Sequence, residues 1–166
     1  MGRILSFKEI ASYHEAGHIF SALLAERKDR FALRFHSSHV SENSCITYTV
    51  GRAMLILNKE IGCWHKNDVF GLVCVLCAGE VAERMFTRNP FVWCHALCDR
   101  MDILKVLYRS KWIPFSEKLA YARRASRSVE RAFSRPENVL KIRLIASALT
   151  ERSELNRENV LTLLNL

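Results

Sequence analysis

The stretch Ser12-Tyr13-His14-Glu15-Ala16-Gly17-His18 sets two imidazoles and a carboxylate within five consecutive positions. On a helix, His14 and His18 lie one turn apart on one face, so both rings can reach a single ion about 2 Å from each nitrogen. Glu15 projects about 100° around the axis from His14, beside such an ion and not on it, where its carboxylate can take a proton from a water. This pattern predicts metal-assisted hydrolysis. The competing reading is an amphipathic helix whose histidines and glutamate face solvent or pair with neighbours. Gly17 bears on the choice, because glycine inside a helix costs up to about 1 kcal/mol relative to alanine. Its presence indicates that another element packs closely there.

A hydrolytic zinc normally takes three protein ligands and keeps a fourth position open. The third ligand must come from further along the chain. Glu80 and Glu83 in "AGEVAERMF" are candidates, and so are Asp99 and Asp102, two of the four aspartates in the sequence (Asp29, Asp68, Asp99, Asp102). Spacing alone does not choose among them.

The elements that must position these residues read as mainly helical. Ile10, Tyr13, Phe20, Leu23 and Leu24 recur at helical spacing and predict a helix over 7–27, with Ser6 as its cap. Between 30 and 54 the pattern becomes β-branched and alternating, clearest in Cys45-Ile46-Thr47-Tyr48-Thr49-Val50 before Gly51, and predicts a small sheet. Helical character returns over 68–86, 98–109, 116–134 and 136–152, with Pro136 suited to a first turn. A last helix in "NRENVLTLLNL" starts from Asn156 as cap. The expectation is one domain over 1–166: the His-Glu-x-x-His helix, a small sheet inserted after it, and a helical bundle over 68–166 that supplies the third ligand.

Composition bounds the rest. The 166 residues are 49% hydrophobic, enough for one domain with a core. The 25 Lys+Arg against 17 Asp+Glu give a formal charge of +8, which attracts nucleic acid, anionic membranes or acidic substrates without naming one. No run approaches the roughly 18 apolar residues of a membrane span, and "MGRILSFKEI" has no long apolar signal region, so a soluble, cytoplasmic protein is expected. The six cysteines (45, 63, 74, 77, 94 and 98) are expected as reduced thiols. Cys74, Cys77, Cys94 and Cys98 have spacings that could build a second, structural zinc site, although the first pair sits in an apolar run where cysteine acts as a small buried hydrophobe. "SEKLAYARRASRSVERAFSR" carries Lys118, Arg123, Arg124, Arg127, Arg131 and Arg135 on a helix. A nucleic-acid surface is one reading of it; a solvated bundle face, packed through Leu119, Ala122, Val129 and Phe133, is favoured.

"YHEAGH" followed by an apolar helix resembles the zinc peptidase domain of the FtsH-type AAA+ proteases. "VLCAGEVAERMF" is similar to that family's Leu-Ala-Gly-Arg-x-Ala-Glu-Glu helix, "RMDILKVLY" to its Asn-Asp-Leu helix, and "ALTERSELNRENVLTLL" to its closing Leu-rich pattern. The likeness runs from about residue 8 to the C-terminus. It implies a helical zinc metallopeptidase in which His14, His18 and Asp102 hold zinc and Glu15 is the catalytic base. It leaves Glu83 for packing or for hydrogen bonds that orient a ligand. It also implies association of peptidase domains in rings, so a homo-oligomer is an expectation. The sequence departs from the pattern in two ways. "CHALCDR" stands where the family has Thr-Thr-Gly-Ala, which leaves Asp99 as a substitute for Asp102. No Gly-x-x-x-x-Gly-Lys-Ser/Thr loop or membrane segment is present, so the expected substrates are peptides, flexible tails, or proteins delivered by a separate ATPase or adaptor. A regulatory protease with one target, or a non-catalytic domain that binds protein or nucleic acid, are the alternatives; an intact Glu15 argues against the last.

Overall fold

The computed structural model describes residues 5–26, 33–42, 49–57, 66–87 and 96–166. The first helix, α1 (Phe7–Glu26), begins at a reciprocal cap. The Glu9 N–H donates to Ser6 Oγ (3.2 Å) while the Ser6 N–H donates to the Glu9 carboxylate (2.8 Å), satisfying two backbone donors that the helix itself leaves open. From residue 14 to residue 23 every position of α1 is buried. A helix buried on all sides lies inside its neighbours; here these are α2 (Lys66–Thr87), α5 (Pro136–Arg152) and the sheet.

Gly17 marks the crossing of α1 and α2. A Cβ on Gly17 would lie 2.7 Å from the Ala82 Cβ and closer still to the Ala78 carbonyl oxygen. With Ala16, Ala78 and Ala82 fully buried beside it, the small side chains let two helix backbones approach at one turn. This is the close packing that a mid-helix glycine predicts.

The sheet follows α1 as expected. Strands β1 (Leu33–Glu42) and β2 (Thr49–Leu57) pair antiparallel, with one extra residue of β1 between Phe35 and Ser37. Residues 43–48 lie outside the described residues, so most of the expected Cys45–Val50 strand is not seen. Its last two residues open β2, which runs on past the expected boundary at 54. Gly51 pairs with Val40 inside the ladder and does not end the strand. A third strand, β3 (Glu154–Asn156), pairs with Ser37–His39, giving the order β2-β1-β3. Three residues show no readable alternation, so β3 was invisible in the sequence. It forms because α5 ends in a left-handed residue, Ser153 (φ 63°), and the Ser153 carbonyl then accepts from the Val40 N–H (2.8 Å).

The remaining helices are α3 (Leu97–Arg109), α4 (Lys118–Phe133) after a 3-10 turn at Phe115–Glu117, and α6 (Arg157–Leu163). Pro136 opens α5, and Asn156 caps α6 in a reciprocal pair with Asn159. In α4 the buried face is Tyr121, Ala125, Val129 and Phe133, four residues apart in turn, with Phe133 against Phe20 (6.0 Å between ring centres). Leu119, expected on that face, is out of phase with it and exposed. Arg123, Arg124, Arg127, Arg131 and Arg135 all face outward. One connected apolar cluster joins α1, α2, α3, α4, α5, β1, β3 and α6. The protein is mainly helical with a small sheet, and among the described residues no helix is long and apolar enough to cross a membrane.

Candidate metal centre

His14 and His18 both point from α1 toward α2, where Gly79 leaves room for them. A Cβ on Gly79 would lie 2.5 Å from the Nε2 atom of each ring. The outer nitrogens are held by hydrogen bonds. His18 Nδ1 lies 2.8 Å from the Val75 carbonyl oxygen, and a carbonyl only accepts, so this nitrogen carries the proton. His14 Nδ1 lies 3.2 Å from Oε2 of Glu83, a fully buried carboxylate. Both rings therefore turn the Nε2 lone pair toward the same point.

Asp99 completes that point. Its Oδ2 lies 3.0 Å from His14 Nε2 and 3.1 Å from His18 Nε2, and the two Nε2 atoms are 3.1 Å apart. Three electron-rich atoms at these separations repel unless positive charge lies among them. Protons on the imidazoles are one source of it and a metal ion is the other. A tetrahedral zinc with bonds of about 2.0–2.1 Å separates its ligands by about 3.3 Å, close to the observed triangle. The donor set, two imidazoles and a carboxylate, suits zinc and leaves a fourth position to water or substrate. Among the described residues this is the one cluster of histidine, cysteine or acidic groups with such a spacing.

Without a metal, the charges settle on the rings. Burial opposes protonation of His14, but the hydrogen bonds to Asp99 and Glu83 and the charges of Glu15 and Asp99 outweigh it and raise the imidazole to about 10. His18 is raised in the same way: burial opposes, and Asp99 prevails by charge and hydrogen bond. Asp99 is the mirror case, since burial pushes it up while the charge of His18 and the bonds from both rings hold it well below the usual carboxylate range.

Glu15 sits beside the cluster, almost fully buried on α1. Burial pushes its carboxyl above the ordinary range, opposed by the charges of His18 and His14 and by the Ser38 hydroxyl, which donates to Oε2 (3.1 Å). That hydroxyl comes from β1, the strand that β3 pins from its far side. Nothing in the sequence marked Ser38, because the contact spans two elements and depends on the register of β1.

The structure does not bring Asp102 to the histidines. Its side chain is 52% exposed and pairs with Lys105 on the outer surface of α3 (2.7 Å), whereas Asp99 is 18% exposed at the cluster. The reason is helical phase. Ile103, Val106 and Leu107 form the buried stripe of α3; at 100° per residue Asp99 falls about 30° from the centre of that stripe and Asp102 about 90°. Glu80 is elsewhere too, taking both arms of Arg100 (2.9 and 2.7 Å) and so tying the residue after Asp99 to α2. Glu83 touches a histidine ring, as the ligand-orienting reading anticipated. Cys74 is half-buried with its thiol toward the Ala125 carbonyl, Cys77 is buried with its thiol pushed up to about 12 by burial, and Cys98 is exposed. Cys94 lies outside the described residues, as do Cys45 and Cys63.

No protein-family model and no curated protein matches this chain.

Proposed function

We infer that the protein is a zinc-dependent endopeptidase that hydrolyses peptide bonds in flexible or unfolded segments of other proteins. The observation that supports this reading is the convergence of His14 Nε2, His18 Nε2 and Asp99 Oδ2 within 3.0–3.1 Å, with Glu15 buried alongside. His14, His18 and Asp99 would hold the ion, with Asp99 in the role that the FtsH-type resemblance gave to Asp102. A bound zinc would polarise the scissile carbonyl and lower the pKa of a water to about 7. Glu15 accepts the proton lost by the attacking water and returns it to the leaving amine. Its position suits it to both tasks, because it follows His14 on the same helix and is buried beside the cluster. Ser38 fixes the direction of that carboxylate through Oε2. Among the described residues β2 lies at an edge of the sheet, where an extended peptide can add as a further strand.

The proposed substrates are segments that are already flexible, or proteins handed over by an ATPase or adaptor. The test is cleavage of unstructured casein by the zinc-loaded protein and by Glu15→Gln. The expected result is zinc-dependent cleavage that falls by about a thousandfold or more in the variant with its metal retained. Cleavage that survives Glu15→Gln would contradict the assignment. Cleavage of one native protein with casein untouched would narrow the reading to a regulatory protease.

A further inference from the structure

The outer face of α3 has no structural task among the described residues. Its packing needs only Ile103, Val106 and Leu107. Yet Leu97, Met101, Leu104 and Tyr108 recur on the other side at steps of four, three and four residues, between 49% and 80% exposed. At 100° per residue this second stripe is centred about 140° from the buried one. The chain extends it beyond the helix: Phe115 is 89% and Leu119 62% exposed, and the Lys118 ammonium stands 5.6 Å from the Tyr108 ring, joining the start of α4 to the end of α3. On α3, Lys105 and Arg109 flank the stripe on one side and Arg100 on the other, and Lys111, exposed, follows the helix. The acidic groups along it are Asp102, paired with Lys105, and Glu117; Glu80, behind it, is engaged by Arg100.

We propose that this ridge docks the protein on an anionic membrane surface, with its apolar crest in the headgroup boundary and its cationic flanks on lipid phosphates and carboxylates. Three features favour lipid over another occupant. The crest protrudes, and a fluid interface closes around protruding side chains, whereas a protein partner binds most tightly through side chains seated in fitted pockets. A second copy meeting the same face would bring like charges together, which opposes a symmetric dimer. Each flanking lysine or arginine gains from a negative surface, and Tyr108 places an amphipathic ring where such rings favour the headgroup layer. Asp99 lies on the inner side of the same helix, so docking would set the metal cluster close to the lipid surface, where tails of membrane-bound proteins are within reach. The docking itself does not depend on the peptidase reading.

Sedimentation with vesicles tests this directly, using phosphatidylcholine alone and phosphatidylcholine with about one third phosphatidylserine. The full chain is expected to bind the anionic vesicles at least about tenfold more tightly, and less so as salt rises. Leu104→Ser combined with Phe115→Ser should weaken binding about tenfold with an unchanged circular dichroism spectrum, since both side chains are already exposed. Lys111→Glu combined with Lys118→Glu should remove the preference for anionic lipid. Failure to bind anionic vesicles at low salt, or equal binding by the serine variant, would overturn the proposal. So would concentration-dependent self-association that the serine variant abolishes, or binding to a soluble acidic protein with none to vesicles.

Discussion

A metal held as proposed would compete with protons for the same two Nε2 atoms of His14 and His18, so pH would govern its affinity. In the metal-free protein His14 is raised from its ordinary 6.5 to about 10, and His18 is raised with it. Metal binding must displace these protons, which predicts that apparent zinc affinity climbs as pH rises from about 6.5 toward 10, with proton release visible as a buffer-dependent heat in calorimetry. The metal-free fold should behave in the opposite way. A histidine pKa raised by folding contributes stability that is fully present below 6.5 and is lost as pH rises through about 10. Apo protein should therefore lose thermal stability over that window, and an apo melting temperature that rises across it would contradict the charge arrangement. The sequence made His14, Glu15 and His18 legible because their spacing matches one helical turn. The resemblance pointed to Asp102, whereas the structure brings Asp99 to the rings; spacing could not correct this, because α3 carries apolar residues on two faces and the phase of Ile103, Val106 and Leu107 becomes decisive only once the inner face is known.

At the scale of elements, two glycines define how α1 meets α2, and they fail differently. Gly17 holds the backbones together, so Gly17→Ala should destabilise the fold by about 1–3 kcal/mol through overpacking against Ala78 and Ala82. Gly79 faces the imidazoles, and Gly79→Ala should displace both rings and weaken zinc binding about tenfold or more. Denaturation curves and a zinc titration of the two variants separate the effects. Equal zinc affinity in Gly79→Ala and wild type would mean that the rings do not sit as described. Gly79 was open to the same reasoning as Gly17, since each is a glycine inside a helical pattern. The helix ends were legible for a local reason: Ser6 with Glu9, Pro136, and Asn156 are caps or first-turn residues within four positions of what they cap. β3 and the Ser38 contact were not: β3 depends on how the chain after α5 returns to β1 across more than 100 residues, and the Ser38–Glu15 contact on how β1 folds back on α1 and in which register.

On the scale of the whole molecule, a central helix buried from residue 14 to residue 23 carries two histidines and a glutamate, and three other elements constrain them. α2 gives Val75, Gly79 and Glu83 behind the rings, α3 gives Asp99 in front of them, and β1 gives Ser38 to the glutamate. α3 is the weakest of these supports, with three buried residues in thirteen, and the Arg100–Glu80 pair fastens it to α2 beside the ligand. The measurement that tests this account most directly is the metal content of the purified protein, compared among wild type, Asp99→Asn and Asp102→Asn. The account predicts about one zinc per chain in wild type and in Asp102→Asn, with loss in Asp99→Asn. Zinc retained by Asp99→Asn, or lost only in Asp102→Asn, would contradict it.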